Sequence, residues 1–394
     1  MTTRENNKNI AVDAQQIIDF IRQTFNEPSD FIGLHEPRFF GNEKEYLLEC
    51  IDTTYVSSVG KFVNQAEAFV SELTGRLSIA VANGTVGLHI ALHALGVKHG
   101  DLVITQPLSF AATSNAILHA GASPIFIDVD DQNFGLDPDK LRAFISEQCV
   151  IKGDHCFYKS TNQRISACMP AHLLGFSCRI DEIVEICNGA KIPVVEDAAE
   201  SMGTSYKNQA VGTFGEYGVF SLNGNKIVTS GGGGFVVCRS EEDAKKIKHL
   251  TTVAKVPHAW KFFHDQVGYN YRMPNINAAL ALAQMENLER YIVAKKKLAK
   301  KYKLFFKDYN NVKFWSPSAN CQSNYWMNTV EFRSKDERDN FLSISNGQKV
   351  MTRPLWELIN TLPAFQHCKT ISDEHARRLQ ECIVNIPSSV IDYE

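Results

Sequence analysis

The chain has no excess of either charge, no long apolar run and no metal-type or redox-type cysteine spacing, and each absence removes a class of function. Its 41 basic and 44 acidic residues leave a formal charge of −3. The signs are interspersed, so there is no electrostatic footprint for nucleic acid, and an anionic ligand has to be held locally. No stretch reaches the roughly 18 uninterrupted apolar residues of a membrane span. The polar start, residues 1–10, has no apolar signal core. Ten cysteines are scattered without C-x-x-C or zinc-finger spacing, which suits reduced thiols in a cytosol better than a disulfide framework or a metal site. The expectation is a cytoplasmic protein with no membrane, nucleic-acid or metal partner.

What is present is core material. At 394 residues and 44% hydrophobic, the chain is long enough for one large domain plus a smaller one. Short apolar runs alternate with helix-like segments from about residue 62 to 250, the pattern of strands and crossover helices in a parallel sheet. Strands are expected at 77–82, 102–105, 124–129, 166–170, 193–196, 218–222 and 234–238, several of them rich in Val and Ile. After Tyr269 the texture changes, with helices expected at 276–291 and 293–307 and a strand at 326–332. The division is thus an N-terminal segment 1–50, a large α/β domain 51–255 and a smaller α+β domain 256–394. The glycines at 231–234 read as a flexible loop or as a tight turn into the last strand of the large domain.

Three segments carry candidate chemistry. Ala82-Asn83-Gly84-Thr85 ends one strand and opens a helix, which aims unpaired N–H groups and a positive dipole end at a bound phosphate, although Gly-Thr there also serves as a plain cap. Val195-Glu196-Asp197 ends another strand, at the edge where open α/β sheets bind ligands. A carboxylate at Asp197 can keep a pyridine nitrogen protonated, and Ala198 and Ala199 leave room for a flat ring; the plainer reading is a helix cap. Phe220-Ser221-Leu222-Asn223-Gly224-Asn225-Lys226 places a lysine after a buried strand, where the lowered pKa and confined approach of a Schiff-base lysine can be met. Most lysines are simply exposed.

In this order the segments resemble the sugar aminotransferases of the DegT/DnrJ/EryC1/StrS group, within the fold-type I pyridoxal-phosphate enzymes. The likeness runs from about Ile32 to Val390. It is carried by Val59-Gly60-Lys61-Phe62-Val63, Ala82-Asn83-Gly84-Thr85, Gln106-Pro107-Leu108-Ser109-Phe110, Pro170-Ala171-His172-Leu173-Leu174-Gly175, Glu196-Asp197-Ala198-Ala199-Glu200-Ser201, the run from Ser221 to Lys226, and Gly268-Tyr269-Asn270-Tyr271-Arg272-Met273. The resemblance implies an aspartate-aminotransferase-like large domain with a mainly parallel sheet and pyridoxal 5'-phosphate as cofactor. Lys226 would bind the cofactor covalently, Asp197 would pair with its pyridine nitrogen, and Phe110 and Ala199 would lie against the ring. Gly84, Thr85 and Ser221 would hold the phosphate. Asn270 would reach the phosphate of a neighbouring subunit, making a homodimer with shared sites. His172, Glu200 and Asn223 are candidates for the substrate.

Two departures bear on specificity. Many members carry His at the position of Asn223, and Gln or His at that of Glu200. Relatives with His in place of the lysine are dehydratases, whereas Lys226 here implies transamination. A narrower likeness, in His35-Glu36-Pro37-Arg38-Phe39-Phe40-Gly41-Asn42-Glu43-Lys44 and Asn223-Gly224-Asn225-Lys226, is to enzymes that aminate the C4 ketone of UDP-2-acetamido-2,6-dideoxy-hexos-4-ulose. Those act on the way to legionaminic acid or bacillosamine-type sugars of bacterial surface glycans, with L-glutamate as the expected amino donor. The alternatives are another nucleotide keto sugar (a C3 ketone, or a dTDP or GDP carrier), another pyridoxal-phosphate reaction, or a sensor or scaffold without turnover.

Overall fold

A computed structural model describes residues 11–391 of the chain; the polar start at residues 1–10 lies outside the described residues. In chain order the first strands are β1 Ser78–Val81, β2 Leu102–Thr105, β3 Ser123–Phe126, β4 Cys149–Lys152, β5 His155–Tyr158, β6 Arg164–Cys168 and β7 Val195–Asp197. A small hairpin, β8 Ser205–Tyr206 and β9 Gln209–Ala210, precedes β10 Tyr217–Ser221 and β11 Gly234–Cys238. β2 pairs in parallel with both β3 and β6, and β7 pairs in parallel with β10. β11 runs antiparallel between β10 and β1. Parallel bridges from Cys168 to Val194 and from Ala171 to Asp197 join the two ladders, giving one surface in the order β1-β11-β10-β7-β6-β2-β3.

Because helices cover both faces of this sheet, every residue of β1, β2 and β11 is buried. Such strands read as continuous apolar runs rather than alternating ones, which is why all seven expected strands appear, shifted by at most a few residues. The β4–β5 hairpin was not expected. It sits at the start of β6, and β4 is half exposed, so its residues carry no clear apolar pattern. The mainly parallel α/β fold class therefore stands, with β11 and the β4–β5 hairpin on β6 as the antiparallel exceptions.

The C-terminal part adds β12 Val312–Phe314, β13 Cys321–Gln322, β14 Asn328–Phe332, β15 Arg353–Pro354, β16 Lys369–Thr370 and β17 Ile383–Ile386. Four of these form a separate antiparallel sheet in the order β12-β14-β17-β15. The helices before it run Asn275–Met285 and Leu288–Phe306, so the break falls near Asn287 rather than at residue 292. There the Asn287 N–H turns to Gln284 O, and its side chain donates to Ala283 O at 3.1 Å, the local competition that makes asparagine a poor interior residue of a helix. No helix among the described residues is long and apolar enough to cross a membrane.

Candidate active site

β1, β2, β7 and β10 all end at the same edge of the sheet, and the residues just beyond those ends surround a cavity of about 770 Å³. Its walls include Gly84, Thr85, Phe110, His172, Asp197, Ala199, Glu200, Ser221, Asn223 and Lys226. The structure thus brings together ten of the eleven candidates. Asn270 is the exception: it is exposed and bridged to Thr252, outside the lining, while its neighbour Tyr271 borders the cavity.

The phosphate-type cradle is built by one helix start and one strand end. Helix Gly84–Ala94 is capped by Asn83, whose Oδ1 accepts from Val86 N–H at 3.0 Å. Among the described residues, the Gly84 and Thr85 amides before it meet no acceptor, leaving two donors and the dipole end free for an anion. Ser221 lies directly opposite: a Cβ on Gly84 would come within 3.0 Å of the Ser221 Cβ. Glycine is needed there for close approach.

Asp197 closes the deep end. Its Oδ2 accepts from Thr113 Oγ1 at 2.7 Å and its Oδ1 from Ala199 N–H at 3.1 Å. Burial pushes its pKa up, and those two donors pull in the opposite direction. A buried carboxylate of this kind is suited to a cationic partner such as a protonated ring nitrogen, which would offset the desolvation. The preceding Glu196 is fully buried and accepts from Gly212, Phe214 and Gly215 N–H groups at 2.6–2.8 Å. It also binds His172. Because Cys178 N–H donates to Nδ1 of that ring at 3.2 Å, Nε2 carries the proton and donates to Glu196 at 3.0 Å. With both nitrogens engaged, His172 presents a fixed ring to the cavity, not a free base.

Lys226 follows β10 on a loop closed by Leu222 N–H to Gly233 O (2.9 Å) and Ser230 N–H to Leu222 O (3.0 Å). The side chain is almost wholly buried; its Nζ donates to Glu200 Oε1 at 3.2 Å and lies 4.2 Å from the centre of the Trp326 ring. Glu200 Oε2 accepts from Leu174 N–H at 2.8 Å. Burial pushes the Glu200 pKa up, while Lys226 opposes that rise. Phe110, by contrast, is 54% exposed at the cavity wall, its ring in edge contact with Trp356 at 6.3 Å between centroids. Asn223 is exposed at the rim. Sequence reasoning missed Trp326, because an aromatic next to a strand reads as core and only the fold brings it to residue 226.

The sequence profile of one family, the DegT/DnrJ/EryC1/StrS aminotransferases, matches residues 39–390. The chain belongs to the DegT/DnrJ/EryC1/StrS aminotransferase family. It is 36% identical over 337 residues to a GDP-perosamine synthase of Escherichia coli O157:H7, covering 85% of this chain and 87% of that one. It is 33% identical to a GDP-perosamine synthase of Caulobacter vibrioides, over 86% of this chain and 88% of the relative. The solved structure of the aminotransferase TlmJ from Streptoalloteichus hindustanus shares the fold, with a TM-score of 0.82 at 23% identity over 91% and 93% of the two chains. As a member of this family the protein is a pyridoxal-phosphate-dependent aminotransferase. The residues fit that cofactor: a free helix start for its phosphate, a buried carboxylate for its ring nitrogen, and a lysine amine facing the space between them.

Proposed function

We propose that the enzyme transfers an amino group from L-glutamate to the C4 ketone of a nucleotide-linked 4-keto-6-deoxy sugar for surface glycan synthesis. The observation that carries this reading is the convergence of Asp197, Lys226 and the Gly84–Ser221 cradle on one cavity large enough for a cofactor with a sugar beside it. In it Gly84, Thr85 and Ser221 bind the phosphate, Phe110 and Ala199 bound the ring, and Asp197 holds the proton on the ring nitrogen. The cofactor supplies an electron sink when bound. Lys226 anchors it and moves protons at its Nζ, and Glu200 and Asn223 face the sugar.

Two carriers have support. The segment 35–44 and Asn223-Gly224-Asn225-Lys226 favour a UDP-linked 2-acetamido sugar; the likeness to GDP-perosamine synthases favours a GDP-linked one. The second copy of a homodimer is supported by the uncovered apolar segment just before Asn270, where Trp260 and Phe262 are 78% and 82% exposed. Asn270 on that surface would complete the partner's cradle.

The test is in two stages. Borohydride reduction of the loaded enzyme should fix the cofactor to Lys226, and label on another lysine would end the site assignment. A panel of UDP-, GDP- and dTDP-linked 3- and 4-keto sugars, with product configuration read by NMR, then identifies the substrate. Turnover confined to 3-keto sugars would refute C4 amination.

A further inference from the structure

Trp326 sits on a turn of the C-terminal part and reaches across to the lysine loop. Its indole Nε1 donates to Asn225 O, the carbonyl just before Lys226, at 2.7 Å. Its ring face lies under the Lys226 Nζ. The turn is fixed on several sides. Trp326 N–H donates to Asn324 Oδ1 at 2.8 Å, and Asn324 Nδ2 donates to Glu200 O and Met202 O, both at 3.0 Å. Lys295 Nζ donates to the carbonyls of Tyr325 and Trp326 at 3.3 and 3.1 Å. One turn therefore positions the aromatic face, the backbone under the lysine and the loop that carries Glu200.

We infer that Trp326 is a positioning residue for the Lys226 amine. It forms, with Glu200, a seat in which the free lysine is held beside its proton acceptor: the ammonium gives a proton to the Glu200 carboxylate, and the neutral amine can then bond the cofactor's aldehyde carbon, with the aldehyde oxygen leaving as water. This role for Trp326 rests on the reading of Lys226 as the cofactor lysine. A four-carbon side chain has many rotamers, so an amine left to sample them attacks at a reduced rate. An indole face attracts an ammonium group more strongly than other aromatic rings, and the Nε1 bond to Asn225 fixes the backbone from which the side chain departs. The ring, the carboxylate and the backbone anchor define one place for Nζ at the cavity wall.

The experiment uses cofactor-free full-length enzyme. Pyridoxal phosphate is added and its capture followed by absorbance, with borohydride fixation and peptide mapping to identify the lysine. In parallel, affinity is measured for pyridoxamine phosphate, which uses the phosphate and ring contacts but cannot bond a lysine. Trp326→Met, which removes the ring, should slow capture about tenfold. Trp326→Phe keeps a ring but loses the Asn225 bond and should slow it about threefold. Pyridoxamine phosphate affinity should stay within about twofold in both. Capture at the wild-type rate overturns the proposal, as does a parallel fall in pyridoxamine phosphate affinity, which marks a merely structural role. If the Met variant does not fold, the Phe variant decides on the same two measurements. Label on another lysine ends the site assignment and this inference together, whereas label on Lys226 at unchanged rates ends the inference alone.

Discussion

Two lysines lie buried on either side of Trp326, and their surroundings differ in a way that separates chemistry from scaffolding. Lys295 is completely buried, and its Nζ donates to three carbonyls, those of Tyr325, Trp326 and Ser388, the last at 2.6 Å. Every proton of its ammonium group is used, and it is not among the residues that line the site cavity. Lys226 has one carboxylate, one ring face and open space. Burial alone does not make a lysine reactive; spare bonding capacity facing a cavity is what distinguishes the second from the first.

The comparison can be broken most sharply at Lys226. Lys226→Ala should lower turnover by about 10⁴-fold or more while the chain stays folded, because both the covalent anchor and the mobile proton carrier go. Steady-state kinetics with circular dichroism checks this, and residual turnover near wild type would remove the reason for contrasting the two lysines. Asp197→Asn comes next, with a loss of about 10²–10³-fold, since a neutral amide does not hold the ring proton. If Asp197 were only a cap, Asn would serve nearly as well, and near-normal turnover would say so.

Asn270 carries the comparison to the neighbouring subunit. Asn270→Asp should weaken cofactor retention about tenfold by placing a carboxylate near the phosphate. Mixing it with Lys226→Ala chains should restore activity if Asn270 acts in trans, because each heterodimer then has one site with neither change. Heterodimers that form without regaining activity would refute shared sites.

The smallest effect on turnover is expected at Lys295, where stability should respond instead. Lys295→Met leaves three buried carbonyls without a donor and should cost about 2–4 kcal/mol in denaturant unfolding, with turnover reduced only a few-fold. Burial holds the Lys295 pKa well below the ordinary lysine range. The folded chain therefore sheds that proton before the unfolded chain does. The cost of burying the charge is fully present below the lowered value and fades as pH rises toward about 10.4. Wild type should gain stability relative to Lys295→Met across that window, and a pH-independent difference would show that Lys295 does not titrate there.

How much of this was legible in the sequence depended on range. Buried parallel strands show themselves as apolar runs, and the strand-end positions of Gly84, Asp197 and Lys226 follow once those runs are placed, because ligands lie beyond strand ends in such sheets. The half-exposed β4–β5 hairpin has no such run. The helix break was misplaced because it depends on one asparagine side chain competing for a carbonyl. Trp326 was illegible because its role needs a contact across a hundred residues of chain. Glu196 and His172 show the same limit: the sequence marks them as beside the site, but only the fold shows their polar atoms committed to each other and to the 212–215 turn.

The loop that carries Lys226 leaves the sheet at Ser221 and returns at Gly234, and those two residues face each other in the same ladder. Its feet stand on one rung, held by the pairing of β10 with β11. Residues 222–233 are therefore a cassette in the sense used by protein engineers. Evolution or a designer can exchange its contents, altering what surrounds the amine and which sugar is admitted, while the register of the sheet stays the same.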